Sequence, residues 1–594
     1  MNPVIVVLDE AGGALARRIA GPLQAEVHGL RARVGEADHL FDGVTDHLRT
    51  LFAAGRPVIG VCAAGILIRS LAAAAMDKRA EPPVLAVSAD GASVVPLLGG
   101  HRGANDLARR VADLTGGHAA ITTAGDAAFG IALDAPPVGW RLANPADAKT
   151  AMAALVGGGG ALAEGELPWG ADTIPEGEAV RLIGTEAPRA GDGRTLVYHP
   201  QRHVIGVGCA RDCPADELRE LVLGALEDAG IAPGAAACVA SIDIKADEAA
   251  ILTLAEELDL PFRLFDAATL EAETPRLANP SDVVFAEVGC HGVAEGAALA
   301  GAGLEGQLVV AKRKSANATV AMARAPDPLD AARIGRAPGR LDVVGIGPGK
   351  GDWRTPEAGR LIAAADEIVG YDLYLDLAAG LAPREHMTAF PLGKETERCA
   401  YALEQAGKGR RVALISSGDA GIYAMAALVE ELVADGKVSD AARRVAVHVS
   451  PGISALQAAA ARIGAPLGHD FCTVSLSDLL TPWETIRTRV EAAAAGDFVV
   501  AFYNPVSRRR RHQLAEARDI LLTRRPAATP VVLATDLGRP AEAVRVTTLG
   551  ALQVDEVDML TVVLVGSSAS RAYRSAGRTR VFTPRGYAAK EIAQ

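Results

Sequence analysis

Aromatic side chains make up only 4% of these 594 residues, and positive charge is not in excess: the formal net charge is −12. That charge argues against a nucleic-acid binder, which carries a basic face, but leaves an anionic small molecule open, because local basic clusters decide that. Cysteine is sparse and scattered. Of Cys62, Cys209, Cys213, Cys238, Cys290, Cys399 and Cys472 only Cys209 and Cys213 are close in sequence, and no second pair completes a zinc site. The expectation is buried free thiols in a reducing compartment and no bound metal. An apolar run of about 20 residues is also missing, so no membrane span is expected. The opening MNPVIVVLDEAGG lacks the basic stretch of a secretory signal, which sets a cytoplasmic location as the expectation.

What is present is globular: 49% apolar and 22% charged residues. A chain this long holds several domains, since one core rarely grows past roughly 250–300 residues. APDPLDAARIGRAPGR, Ala325–Arg340, carries three prolines between two strand-like runs and reads as the main linker. A softer break starts at Gly157–Gly160, in a Gly/Ala-rich stretch that reads as strand-poor to about Thr195. Before the linker, apolar runs at Pro3–Leu8, Pro57–Cys62, Val84–Val87, His203–Val207, Ala236–Ile242 and Leu308–Ala311 alternate with helical patterns. After it come Leu341–Ile346, Arg411–Ile415, Val445–Val449, Phe498–Phe502, Pro530–Ala534 and Thr561–Val565, with helical patterns such as Thr355–Glu367 and Ser454–Ile463 between them. Such alternation predicts an α/β fold with largely parallel sheets.

The most informative stretch is LDVVGIGPGKGD, Leu341–Asp352: a buried strand ending in a turn of Gly345, Gly347, Pro348 and Gly349. It misses the dinucleotide fingerprint, which needs glycine where Lys350 stands. It also misses the P-loop, which needs glycine at Val344 and Ser or Thr at Gly351. Three further strands end in small or polar residues: Ser417-Gly418-Asp419-Ala420-Gly421-Ile422-Tyr423, Pro451-Gly452-Ile453-Ser454-Ala455 and Tyr503-Asn504-Pro505. Each alone is an ordinary turn. Together they predict one sheet edge carrying a ligand site.

These motifs resemble the class III methyltransferases of corrin biosynthesis, and within them the precorrin-3B (cobalt-factor III) C17-methyltransferases. The resemblance runs from Leu341 to about Pro584. It rests on VGYDLYLDL (Val369–Leu377), ISSGDAGIYAMA (Ile415–Ala426), PGISALQAAAARIGAPLGHDFCTVSLSDLLTPWE (Pro451–Glu484), FYNPVSRRRR (Phe502–Arg511) and DMLTVVLVGSS (Asp558–Ser568). The chain departs from the pattern at Lys350, where the family has an acid. The resemblance implies a methyltransferase of two αβα lobes, about 341–450 and 451–584 within 341–594, with S-adenosylmethionine in the cleft between them. By motif position Gly347, Pro348, Ser417, Gly418, Asp419, Ile422, Ser454, Ala455, Asn504 and Thr548 are the cofactor contacts, with Asp419 an acceptor for ribose hydroxyls. The implied reaction methylates C17 and contracts the macrocycle. For its proton transfers Asp478, Glu484 and His469 are the candidate acids and bases, against a plainer reading as caps and solvated groups. The substrate carries many carboxylates, so Arg508 and Arg509, in the run Arg508–Arg511, are candidate anchors. A solvated helix face is the ordinary alternative. The resemblance also implies a homodimer and leaves contacts with other enzymes of the same pathway open.

Two N-terminal segments stand out: LLGGHRGAND, Leu97–Asp106, and EVGCHGVAE, Glu287–Glu295, followed by the basic run around Lys312 and Lys314. The first reads plainly as a strand, a turn and a helix capped by His101 and Asn105; the second as a buried helix before a basic edge strand. With IGVCAAGILIR (Ile59–Arg69), Asp77-Lys78 and IGVGC (Ile205–Cys209) they resemble the CbiG-type cobalt-precorrin-5A hydrolases. That divides the chain into 1–126, a variable middle 127–200, 201–325 and the linker 326–340. The implied reaction opens a ring-A lactone and releases acetaldehyde. It needs an activated water and a stabilised oxyanion, with His101 or Glu295 as base and Lys312 or Lys314 holding substrate carboxylates. Two alternatives stand beside this reading. The N-terminal half is a non-catalytic corrinoid carrier, or the GIGPG turn serves a nicotinamide-dependent reductase, against which the failed dinucleotide spacing counts.

Overall fold

The computed structural model describes residues 2–72, 74–75, 81–170, 173–507 and 510–587. Among the described residues the strands form six sheets with helices between many of them, so the α/β expectation holds. The first sheet has seven strands in the order His39–Phe41, Glu26–Leu30, Val4–Val7, Val58–Val61, Val84–Val87, Ser93–Leu98, His118–Ala119. Its central strands are buried along their whole length, as continuous apolar runs between helices must be. Asp77 and Lys78 lie outside the described residues.

The stretch after Gly157 is not strand-poor. Ala161–Gly165 and Val180–Gly184 join Trp140–Leu142 and Thr195–Pro200 in a four-stranded sheet. Composition hid the first of these: Ala161 is buried while the next four residues face solvent, which leaves no apolar run. A five-stranded sheet follows, ordered Phe262–Phe265, Ala236–Ile242, His203–Cys209, Ala318–Arg324, Gln307–Lys314. The helix Val293–Ala302 lies so close on it that a Cβ at Gly206 would sit 2.0 Å from Ala294 O. The Pro-rich segment before Arg340 is no free tether. Arg263 donates to Ile334 O at 2.5 Å, Gly335 O at 3.1 Å and Ala332 O at 3.2 Å, and Ile334 is buried in the core of that sheet.

The C-terminal half has two principal sheets. In the first, Met387–Ala389, Glu367–Gly370, Arg411–Ser416, Arg340–Gly345 and Ala446–Ser450 are all parallel. In the second, Phe471–Ser475 pairs in parallel with Val499–Tyr503, but Thr561–Val565, Pro530–Thr535 and Ala543–Thr548 continue it antiparallel. The expectation of largely parallel sheets therefore fails here. Short hairpin connections replace helical crossovers on that side, and buried antiparallel strands read no differently from parallel ones. The described cysteines are all free thiols, with Cys213, Cys238, Cys290 and Cys399 buried. Among the described residues no single helix is long and apolar enough to cross a membrane.

The two halves touch. Ala54, after the helix Val44–Ala53, is buried with Ile362, Ala365 and Leu381. Beside this contact lie three histidines. His28 Nδ1 is 2.9 Å from His47 Nε2, the His39 ring centroid is 5.1 Å from that of His28, and a Cβ on Gly380 would be 3.1 Å from His39 Nε2. Burial pushes all three imidazoles down, His47 to about 3, and the neighbouring histidines and Arg56 add to this for His28 and His47, as Arg31 does for His39. The carboxylate facing them is Glu26, 3.9 Å from His28 Nε2 and already paired with Arg56 at 2.5 Å. The folded pKa values lie below 6.5, so the unfolded chain binds more protons as pH falls from about 6.5 towards 3. The stabilisation by neutral His47 is thus present at pH 7 and drains away on acidification. In scanning calorimetry the transition of this region should lose about 2–3 kcal/mol between pH 7 and pH 4. His47→Phe, stacked on Phe41 as His47 is, should flatten that dependence.

Candidate active site

Three strand ends of the all-parallel sheet converge where only glycine fits. A Cβ on Gly345 would stand 2.7 Å from Gly418 O, and one on Gly452 only 2.1 Å from the same oxygen. Gly347 and Gly418, both at φ +74°, exchange backbone hydrogen bonds of 3.1 and 2.9 Å. Asp419 ties the convergence together: one carboxylate oxygen accepts from Gly421 N at 2.8 Å and the other from Gly452 N at 2.9 Å. The third strand end then enters the helix Ala455–Ile463, opened by a capping box in which Ser454 and Gln457 satisfy each other's backbone amides.

The second sheet faces this corner. Its strand Val499–Tyr503 ends at Tyr503, whose hydroxyl accepts from Leu456 N at 3.0 Å, and at Asn504, which adopts φ 48°. Burial pushes the Tyr503 phenol up. The halves of the corner are latched at the GPGK turn. A Cβ on Gly349 would touch Gly538 O at 2.7 Å, and Arg539 Nε donates to Pro348 O at 3.2 Å. Arg462 lies 4.3 Å from the Trp353 ring centre and pairs with Glu542 at 2.6 Å. Between the two sheets is a cleft of about 380 Å³.

Pro348, Ser417, Gly418, Asp419, Ile422, Ser454, Ala455 and Asn504 line it. They do not share one sheet edge as expected: the first seven come from one sheet and Asn504 from the other, across the cleft. Gly347 stands behind the wall, bonded to Gly418. Thr548 does not reach the cleft. Its strand runs antiparallel to Pro530–Thr535 and pairs Thr548 with Pro530, at the end remote from Ala534–Leu537. Residue order could not reveal that reversal.

The candidate acids and bases also lie off the cleft wall. Glu484 is exposed and pairs with Arg487 at 2.8 Å, one turn on along its helix. His469 is exposed and its Nδ1 accepts from Asp470 N. Asp478 accepts from Gln513 at 2.8 Å and sits 3.5 Å from Arg510. Arg508 and Arg509 lie outside the described residues. Arg510 and Arg511 serve the fold: Arg510 bridges Leu476 O and Asn504 O, and Arg511 holds Val554 O and Asp555. Sequence reasoning missed Tyr374, Arg398, Asp536, Arg539 and Met559–Val562 on the lining. The loop Asp536–Arg539 follows a strand and obeys the rule used for the others. Met559–Val562 enters at the start of an antiparallel strand, where that rule is blind.

In the N-terminal half, the strand Ser93–Leu98 turns through Gly99, where a Cβ would meet Pro82 O at 2.6 Å, into the helix Ala104–Thr115. The helix is capped by Gly103 without a side chain, so neither His101 nor Asn105 is its cap. Asn105 is buried and donates to Thr123 at 3.0 Å. The backbone of His101 lies in the short turn before the helix; its side chain is outside the described part. Gly100, Asn105 and Thr123 line a cavity of about 1110 Å³ together with Ile131–Ala135 and with Lys149, Met152 and Val156. Glu295 and Lys312 are elsewhere, and the structure argues against Glu295 as a base. Its buried carboxylate accepts from Asn279 N and Nδ2, both at 2.9 Å, and from Lys312 N at 2.8 Å. Burial works to raise its pKa, but these hydrogen bonds outweigh it and hold the group below the usual range. Lys312 Nζ caps Asn279 O at 2.9 Å. Among the described residues no cluster of His, Cys, Asp and Glu could hold a metal ion.

Residues 340–553 match the family described as Tetrapyrrole (Corrin/Porphyrin) Methylases, 203–323 match Cobalamin synthesis G C-terminus, and 46–126 match Cobalamin synthesis G N-terminal. The chain belongs to the tetrapyrrole methylases through its C-terminal half. Within that class it is 43% identical over 251 residues to the precorrin-3B C(17)-methyltransferase of a Sinorhizobium species, covering 42% of this chain and 98% of the relative. It is 45% identical over 252 residues to the cobalt-factor III methyltransferase of Priestia megaterium, covering 42% of this chain and 46% of that one. The crystal structure of the methyltransferase CobJ is 42% identical and superposes with a TM-score of 0.38, covering 41% of this chain and all (100%) of that chain.

The Asp419 clasp has a direct consequence. In Asp419→Ala, hydrogen exchange at the Gly421 and Gly452 amides should rise roughly 10-fold or more, and stability should fall by about 1–3 kcal/mol. Unchanged exchange at both amides would show that the carboxylate is not what holds the corner.

Proposed function

We propose that the protein is a two-part enzyme of corrin biosynthesis. Its C-terminal half transfers a methyl group from S-adenosylmethionine to C17 of precorrin-3B or cobalt-factor III, with ring contraction. The observation that carries this reading is the glycine corner closed by Asp419 and faced by Tyr503 and Asn504. The cofactor supplies an electrophilic methyl group on a sulfonium. The residues present suit it. Backbone at Gly418 is open to close approach, Asp419 places negative charge beside the cleft, and the buried Ser416 hydroxyl on the wall has no partner among the described residues. Methyl transfer asks the protein mainly to hold carbon, methyl and sulfur in line. A macrocycle extends beyond a cleft of about 380 Å³. Asp478 lies three residues past Ser475, which Asn504 contacts at 3.2 Å, and is the acid this reading assigns to a proton at the macrocycle edge. Glu484 and His469, both exposed, take no part in this reading. Exposed Leu479 and Leu480 in the same loop support a homodimer as part of it, with the protein in the cytoplasm.

The N-terminal half opens the ring-A lactone of cobalt-precorrin-5A and releases acetaldehyde. Its support is the cavity of about 1110 Å³ that Gly100 and Asn105 of the GGHRGAN segment help to line, with Lys149 as a cation for substrate carboxylates. One observation favours the carrier alternative: with Glu295 engaged by three hydrogen bonds, a candidate base is tied up.

A mass-resolved assay with S-adenosylmethionine and either precorrin-3B or cobalt-factor III tests both halves. One added methyl is the expected result, and the accepted substrate tells whether cobalt is already in the ring. With cobalt-precorrin-5A, acetaldehyde release supports the hydrolase, whereas retention of the corrinoid without acetaldehyde supports the carrier. No methyl transfer to either substrate contradicts the reading of the C-terminal half.

A further inference from the structure

Arg398 lies in the first turn of the helix Glu395–Gly407, on the cleft wall, with its side chain 2% exposed. Its Nε has no acceptor among the described residues. Its hydrogen bond to Pro391 O is long, at 3.4 Å. The nearest carboxylate oxygen, Glu395 Oε1, is 3.6 Å away and already accepts from Gly393 N at 3.0 Å. A guanidinium has five N–H donors and keeps its charge, so leaving it buried without a bonded counter-ion is costly. Buried Arg525 also leaves its Nε without a hydrogen bond, but its two terminal nitrogens donate to the carbonyls of Gly566, Phe498 and Ala493 at 2.6, 2.6 and 3.1 Å. Arg398 has only the long contact to Pro391 O and faces the cleft.

A second cation stands nearby. Arg539 is 14% exposed, and its closest carboxylate, Asp536, is 3.5 Å away. Tyr374 is on the same wall: burial pushes its phenol up, while the charges of Arg539 and Arg398 act against that shift. All three line the cleft.

We propose that Arg398, which shares the cleft lining with Arg539 and Tyr374, is the anion subsite of this cleft and takes a carboxylate of the bound ligand through forked hydrogen bonds. The inference rests on the methyltransferase reading, in which two ligands carry that chemistry: the amino-acid carboxylate of S-adenosylmethionine and the acetate or propionate arms of the macrocycle. Glu395 is the internal competitor that the ligand carboxylate displaces.

Titration calorimetry on the full chain separates these sources. The probes are S-adenosylhomocysteine, 5′-methylthioadenosine, which keeps the nucleoside thioether but lacks the carboxylate, and cobalt-factor III. In Arg398→Met, affinity for a carboxylate ligand should fall roughly 10-fold or more while 5′-methylthioadenosine binds as before, which also shows that the cleft is intact. Loss on S-adenosylhomocysteine assigns the subsite to the cofactor. Loss confined to cobalt-factor III assigns it to the macrocycle. Should Arg398→Met bind nothing, Glu395→Gln decides at a half-buried position: tighter binding of one carboxylate ligand supports the subsite, and unchanged binding overturns it. Unaltered affinity for both carboxylate ligands in Arg398→Met also overturns it. A wild-type chain that binds neither ligand brings down the methyltransferase reading and the subsite with it.

Discussion

The C-terminal half depends on one steric constraint: backbone must meet backbone at Gly345, Gly418 and Gly452. The approach is closer than any side chain permits, and it brings the ends of three parallel strands to a common point. Asp419 then converts proximity into order by accepting from Gly421 and Gly452 at once. Much of the wall on this side follows in sequence within a few residues of that point, at Pro348, Ser416–Ile422 and Ser454–Ala455, while Tyr374 and Arg398 join it from elsewhere in the same lobe. The opposite wall is supplied by the mixed sheet. The two are registered by the GPGK turn against Gly538 and by Arg462 between Trp353 and Glu542.

The fusion is also more than a tether. Arg263 binds three carbonyls of the Pro-rich segment, and Ala54 contributes to the core beneath the first sheet of the methylase half. The middle region contributes a wall of the N-terminal cavity, so its strands and helices bear on that site instead of merely spacing two domains. An enzyme that contracts a ring and one that removes the resulting fragment would act on the same macrocycle at different stages. Joining them raises the local concentration of one near the product of the other.

Much of this was legible in the residues. Apolar runs located Ala236–Ile242 and Thr561–Val565 to the residue, because burial on both faces leaves an uninterrupted pattern. The glycine-rich strand ends identified most of the cleft wall, because close backbone approach leaves a chemical trace. Strand direction left none, so Thr548 was misplaced and Met559–Val562 overlooked. One-sided burial erased Ala161–Gly165. Function-bearing and fold-bearing polar groups also look alike in sequence. Glu295 and Arg510 proved to be hydrogen-bonded parts of the framework, and Arg398, which carried no motif, faces the cleft.

The most direct test of this account is the substitution Gly452→Ala, which places a methyl group 2.1 Å from Gly418 O. Binding of S-adenosylhomocysteine, followed by calorimetry, should be lost while circular dichroism and the melting transition of the N-terminal sheet stay as in the wild type. If Gly452→Ala binds S-adenosylhomocysteine with wild-type affinity, the backbone convergence is not what builds the cleft, and the account is wrong at its centre.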